Sequence, residues 1–214
     1  MPNTFARKFT RVFTKDYRQK NYTVYVFSIM LVGAVAALAA AFILTVDKFR
    51  LYENPDLILS CSVNLVLNCS AVMETWQSHI FGFPNMLLGL MAFPVMILTA
   101  VFGLTRTVLP RWYWVTATVG FLAALIFSYW LFFQSVYVIQ ILCPWCLIVT
   151  TSMTLVFASM LHYSLKENIF TFKKKLNDRI QRFLSGGYHQ AIVIGWLVLM
   201  AMLVILKFGD GLFA

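Results

Sequence analysis

Residues 112–165 run for 54 positions without an Asp, Glu, Lys or Arg. A single helix of that length would measure about 81 Å at 1.5 Å per residue, whereas about 20 apolar residues cover the hydrocarbon core of a bilayer. The segment must therefore cross twice. The polar interruption Gln134, Ser135 and Gln140, followed by Pro144, places the turn between Gln134 and Cys143. Three other uncharged runs are long enough to cross once: 21–46, 80–105 and 183–206. Pro84 and Pro94 interrupt the second, so its helix is expected to begin near Asn85. Gly186 and Gly187 shift the start of the third to about Tyr188. The count is five spans in an all-α integral membrane protein. Composition agrees, with 61% hydrophobic and 12% charged residues, against about half apolar and a quarter charged in soluble domains.

The formal charge of +9 comes from 17 Lys and Arg against 8 Asp and Glu. Arg7, Lys8, Arg11, Lys15, Arg18 and Lys20 precede the first span, and Arg106 and Arg111 link spans two and three. Lys166, Lys173, Lys174, Lys175, Arg179 and Arg182 link spans four and five. The opposite side receives Lys48, Arg50 and Lys207. Basic residues in short loops stay cytoplasmic, so the expected topology is N-terminus cytoplasmic and C-terminus extracytoplasmic. Charge spread over three short segments excludes nucleic acid as its purpose and leaves membrane lipid as the partner. Phe5, Phe9, Phe13 and Tyr17 recur every fourth residue among the first basic residues, the pattern of a short amphipathic helix on anionic lipid. A plain basic tail serving topology is the simpler reading. A cleaved signal peptide is disfavoured, because the uncharged run is longer than the 7–15 residues of such peptides. The expected organisation is a basic cytoplasmic segment 1–20, a four-helix catalytic core 21–165 with an outer loop 47–84, a basic cytoplasmic linker 166–187, and a fifth helix with a short outer tail 188–214.

This topology puts all four cysteines on the outer, oxidising side. Cys143-Pro144-Trp145-Cys146 stands at the start of span four. Pro144 suits the first helical position, where its missing N–H is not needed. A helix N-terminus favours a thiolate and so lowers a thiol pKa. The motif reads as a redox-active dithiol. Cys61 and Cys69 form a second pair with seven residues between them, able to close a small mobile loop. Such a loop can meet a soluble partner on one side and the fixed dithiol on the other, as a relay. The alternatives are a static disulfide in an outer loop and a zinc site built from both pairs. Thiol exchange moves electrons only among sulfurs, so a relay ending at the membrane needs a lipid-soluble acceptor, for which a quinone is the natural candidate. Asn85, at the outer start of span two, is the best-placed polar handle, although polar residues in spans more often bind neighbouring helices.

Cys61-Ser62-Val63-Asn64 with Cys69-Ser70, Thr75-Trp76, Phe81-Gly82-Phe83-Pro84-Asn85 and Cys143-Pro144-Trp145-Cys146 together resemble the vitamin K epoxide reductase family in its bacterial, thiol-disulfide oxidase branch. The likeness covers about residues 21–163. DsbB-type oxidases do similar chemistry but place the Cys-x-x-Cys before the other pair. The resemblance implies a four-helix bundle around a quinone, menaquinone or ubiquinone, with a fifth helix added. It implies that a DsbA-like thioredoxin-fold partner is reoxidised at Cys61, that Cys69 exchanges with Cys143, and that Cys146 passes electrons to the quinone, whose carbonyl Asn85 would bind. Relatives with a fused thioredoxin-like domain continue beyond the fifth span, whereas Ala214 lies eight residues past Leu206, so a separate partner chain is expected. Thr150 stands where animal enzymes carry Tyr, so the resemblance leaves the second carbonyl contact open.

Quinone epoxide reduction uses the same dithiol and stays open as an alternative, as does a non-catalytic scaffold held by structural disulfides. A transporter is disfavoured, since no span carries an ionisable Asp, Glu, Lys or Arg. His79, His162, His189, Glu74 and Asp56 are read as loop or packing residues, and Trp145 as a packing residue or a modulator of the dithiol.

Overall fold

The structure, a computed structural model, describes residues 4–54, 57–62, 64 and 66–212, with side chains from 22 to 209. The N-terminal aromatic and basic residues from Phe5 to Lys20, and Asp56, therefore lie outside the described side chains.

Among the described residues there are helices and no strands. Five helices are long and apolar enough to cross a membrane. The first, α1 (Thr4–Glu53), is continuous for 50 residues. A short α2 (Cys69–Glu74) and a 3₁₀ turn (Trp76–His79) lead to α3 (Met86–Leu104). Then come α4 (Arg111–Phe133), a π-helical turn (Gln134–Ile139) and α5 (Pro144–Lys166). The chain ends with α6 (Lys174–Ser185) and α7 (Tyr188–Leu212). The predicted start of span two is met within one residue, and spans four and five begin at Pro144 and Tyr188.

The reversal inside the long uncharged segment has a local cause. The π turn widens the end of α4, and Gln140 then takes a left-handed φ of 58°. Ser135 donates its hydroxyl to the Ile141 carbonyl at 2.5 Å, closing the turn over itself.

The bundle core follows helical spacing. Phe27, Met30, Ala34, Ala37 and Ala41 form one buried stripe on α1, packed with Phe93, Met96 and Ala100 of α3 and Met153, Val156 and Met160 of α5. The small residues on that stripe let the backbones approach, the usual means of helix association in a bilayer. At Gly103 a Cβ would come within 2.3 Å of the Phe27 ring atoms, so glycine leaves room for this contact. The opposite faces, including Val32, Phe42, Val95, Leu98 and Ile126, are exposed and apolar, as lipid-facing surfaces are.

Two elements depart from the sequence reading. The first span does not stop at Val46: helix α1 continues to Glu53 because Leu51 prolongs the inward stripe of Leu44. The basic linker contains α6, whose Leu176, Ile180, Phe183 and Leu184 recur at helical spacing on one side. Gln181 of α6 donates to the Lys166 carbonyl at 2.9 Å and fastens it to the end of α5. Helix α7 packs through Phe208, Leu203 and Val204 against Phe132, Val136 and Leu142. Its Trp196 Nε1 donates to the Tyr129 hydroxyl at 2.7 Å.

Candidate functional site

The loop after α1 is organised by two asparagines. Asn64 Oδ1 accepts from the Val66 and Leu67 N–H groups at 3.0 and 2.7 Å, turning the chain. Asn68 caps α2 by accepting from the Ala71 N–H at 3.1 Å, and the Ser62 hydroxyl donates to the same oxygen at 3.0 Å. Cys61 and Cys69 are joined as a disulfide with their Cα atoms 5.7 Å apart, within the usual range.

That loop is pinned to the turn before α5 by a two-residue parallel bridge. The Asn68 N–H donates to the Leu142 carbonyl at 3.1 Å, and the Leu142 N–H donates to the Val66 carbonyl at 2.7 Å. Cys69 follows Asn68 directly and Cys143 follows Leu142, so the bridge brings the two cysteine pairs together. All four cysteines fall in one cluster with Leu44, Leu51, Leu59 and Met73. Cys69 is fully buried and Cys143 is 1% exposed.

Cys143 is the N-cap of α5 and Pro144 its first residue, as the motif predicts. The Cys143 sulfur accepts from the Cys146 N–H at 3.3 Å. A hydrogen bond from the Cys146 side chain, helped by the backbone N–H groups of Cys146 and Trp145, holds the Cys143 thiol below its ordinary pKa. Burial and the nearby Asp47 charge oppose that shift. Both cysteines are free thiols. Both pack with the loop cysteines, Cys143 fully buried and Cys146, one turn into α5, only partly so.

There a cavity of about 200 Å³ opens between α1, α3, α4 and α5. Its walls are apolar, with Leu44, Phe93, Met96, Phe127, Phe132 and Met153 prominent, and both Cys143 and Cys146 border it. Asn85 stands at its rim. The Asn85 Nδ2 donates to the Gln77 carbonyl at 2.7 Å, which fixes the amide, while Oδ1 is buried without a partner. A buried unpaired amide oxygen is costly unless something meets it. Thr150 lines the cavity too, but its hydroxyl donates to the Cys146 carbonyl at 3.0 Å and so is spent within α5.

Two residues at this site escaped the sequence reading. Lys48, counted there as a loop charge, is 8% exposed and donates to the Met73 carbonyl at 3.1 Å, tying α1 to α2. Asp47 is 5% exposed, and its Oδ2 has no partner. The register would have disclosed both, because Asp47 lies three residues after Leu44 and four before Leu51 on the buried stripe. His79 is held by the Ser78 hydroxyl at 2.6 Å and does not line the cavity. Glu74 closes α2 at the same end of the bundle. His162 and His189 meet edge to face near the far end of α5, remote from the cysteines along that helix. Trp145 packs against the cysteine cluster.

A sequence model of the vitamin K epoxide reductase family matches residues 28–161, more than half of the chain, and that span holds all four cysteines and Asn85. No curated protein matches the chain.

Proposed function

Because this chain belongs to the vitamin K epoxide reductase family, we propose that it is a quinone-dependent thiol-disulfide oxidase, with Cys61, Cys69, Cys143 and Cys146 as its catalytic residues. The observation that carries the reading is the cluster itself: an oxidised pair set by a backbone bridge beside a reduced pair, both members of which border an apolar cavity.

The residues act in series. A thiolate of a DsbA-like thioredoxin-fold partner attacks Cys61 Sγ, Cys69 leaves, and the partner's second thiol releases Cys61, so the partner gains a disulfide and the loop pair gains two electrons. Cys69 then attacks Cys143 of the oxidised Cys143–Cys146 pair and expels Cys146. Cys61 closes on Cys69, which restores the observed Cys61–Cys69 disulfide and frees Cys143. The low pKa of Cys143 makes it the better leaving group in that last displacement. A quinone, menaquinone or ubiquinone, accepts two electrons and two protons from the dithiol when bound in the cavity. The apolar walls suit a flat ring, and Asn85 supplies the polar contact, with its remaining N–H for a carbonyl and Oδ1 for a hydroxyl. Membrane lipid is the other partner. The charge distribution supports a multi-pass protein of the cell membrane with its N-terminus cytoplasmic, its cysteines extracytoplasmic, and the divisions at 20, 165 and 187 set out from the sequence.

Mixing the purified protein with a reduced DsbA-like protein and a quinone is expected to consume one quinone per partner disulfide formed, followed by quinone absorbance. No loss of oxidised quinone defeats the proposal. Replacing Asn85 by Ala leaves the Gln77 carbonyl unpaired and removes the polar contact, worth about 1–3 kcal/mol. The expected result is a KM for quinone raised roughly 10- to 100-fold, with the reactivity of Cys61 toward the partner unchanged.

A further inference from the structure

Helix α6 is held between the ends of two spans. The Gln181 side-chain amide donates to the Leu165 and Lys166 carbonyls at 3.3 and 2.9 Å, at the last turn of α5. At the other end of α6, Gly186 and Gly187, the latter with a φ of 73°, turn the chain at once into α7. There the Phe183 ring stacks on that of Tyr188, the first residue of the fifth span, with centroids 5.8 Å apart and planes 22° apart. Fastened to the end of one span and the start of the next, α6 lies where the hydrocarbon core gives way to headgroups. Aromatic residues such as Tyr188 mark that level.

The faces of α6 divide as this position requires. Leu184 is buried against the protein, whereas Leu176 and Phe183, on the outer edge of the same apolar stripe, are 46% and 43% exposed. Lys175, Arg179 and Arg182 follow at spacings of four and three, which puts them on one helix face, and all three are exposed. At 3.6 residues per turn this row adjoins the Leu176–Phe183 edge and turns away from Gln181. Lys173 and Lys174 extend the charge at the N-terminus, and Asp178 is the one acid on the helix. Among the described residues none of the five cations is ion-paired. The lysines also oppose the helix dipole, with no acid in the first turn and no side chain as cap. Topology requires only that basic residues be present in the segment. It does not require them to be wound into a row beside an exposed leucine and phenylalanine.

We propose that α6 is a binding site for anionic phospholipid. Leu176 and Phe183 enter the acyl boundary, and Lys175, Arg179 and Arg182 hold the headgroup phosphates beside them, as basic amphipathic helices do in the interface plane. A soluble phosphate would meet the charges but leave the two apolar side chains in water, so the lipid is the occupant. This role rests on membrane insertion of the chain and is independent of the cysteine relay.

The test places the full-length protein in nanodiscs of phosphatidylcholine, with or without phosphatidylglycerol, and follows amide hydrogen exchange by mass analysis. Phosphatidylglycerol is expected to slow exchange across α6 roughly 10- to 100-fold, the effect of three basic residues at an anionic surface. Exchange in α5 should be the same in both lipids. The triple variant Lys175→Gln, Arg179→Gln, Arg182→Gln should lose the slowing, while the charge-keeping variant Lys175→Arg, Arg179→Lys, Arg182→Lys should retain it. Phe183→Ser should reduce it. Sodium chloride reads the same charges without a mutation and should reverse the slowing in the wild type. Equal exchange of α6 in the two lipids would overturn the proposal, as would slowing that survives high salt or the triple glutamine change. Inorganic phosphate added to phosphatidylcholine discs is expected to change nothing. Protection by phosphate alone would mean a site for free anions and would overturn the lipid assignment.

Discussion

Exchange of Cys69 for Ser is expected to leave Cys61 as the point at which a partner is captured. The disulfide cannot form, yet the loop should keep its place, since the Asn68 and Leu142 backbone bonds and the Asn64 turn do not involve the lost sulfur. A single-cysteine thioredoxin-fold protein, activated as its thionitrobenzoate disulfide, should then attach covalently at Cys61, and peptide mapping identifies the site. Cys61 is 6% exposed and sits on the loop, whereas Cys69 is fully buried beneath it. The reciprocal Cys61→Ser variant should therefore react far more slowly, and quinone-linked turnover in either variant should fall on the order of 10³-fold or more, as when one member of a catalytic unit is removed. Attachment at Cys143 instead would refute the order of transfer. An adduct at Cys69 in the reciprocal variant, formed as fast as that at Cys61, would refute the assignment of entry to the loop sulfur.

The helix that carries the dithiol was readable in advance because its cues are local. Cys143 followed by Pro144 marks an N-cap and first position, and an uncharged run of 22 residues from Pro144 to Leu165 can only be satisfied as a helix in lipid. The spans were readable for the same reason: charge gaps of fixed length have one solution in a bilayer. The juxtaposition of the cysteine pairs was legible only as a family resemblance. A bridge between residues 67 and 142 involves two positions and leaves no periodic trace in either segment. Lys48 and Asp47 were misplaced because a charge that follows an apolar run ordinarily marks the end of a span. Here both stay helical and buried, Lys48 compensated by a carbonyl of α2 and Asp47 by a long ion pair to Arg50. The same substitution of a default for a context hid α6, where a run of lysines drew attention from the apolar residues spaced among them.

Cys146→Ala separates the two halves of the relay, and its expected signature is a burst that stops. The loop disulfide, its bridge to Leu142 and the cap position of Cys143 lie outside the altered side chain, so a reduced partner should still open Cys61–Cys69. One equivalent of partner per enzyme is then oxidised. Beyond that point no disulfide exists at the head of α5 to receive the electrons, and Cys143 alone cannot store a pair of them. Steady turnover should fall on the order of 10³-fold or more, with no measurable loss of quinone, while the wild type continues past its first equivalent. The outcome bears on the cavity as well as on the sulfur. Both thiols border the apolar space, and Cys146 is the less buried of the two. If the alanine variant kept wild-type turnover, electrons would be leaving through Cys143 or through the loop pair, and Cys146 would lose its place as the last sulfur of the relay.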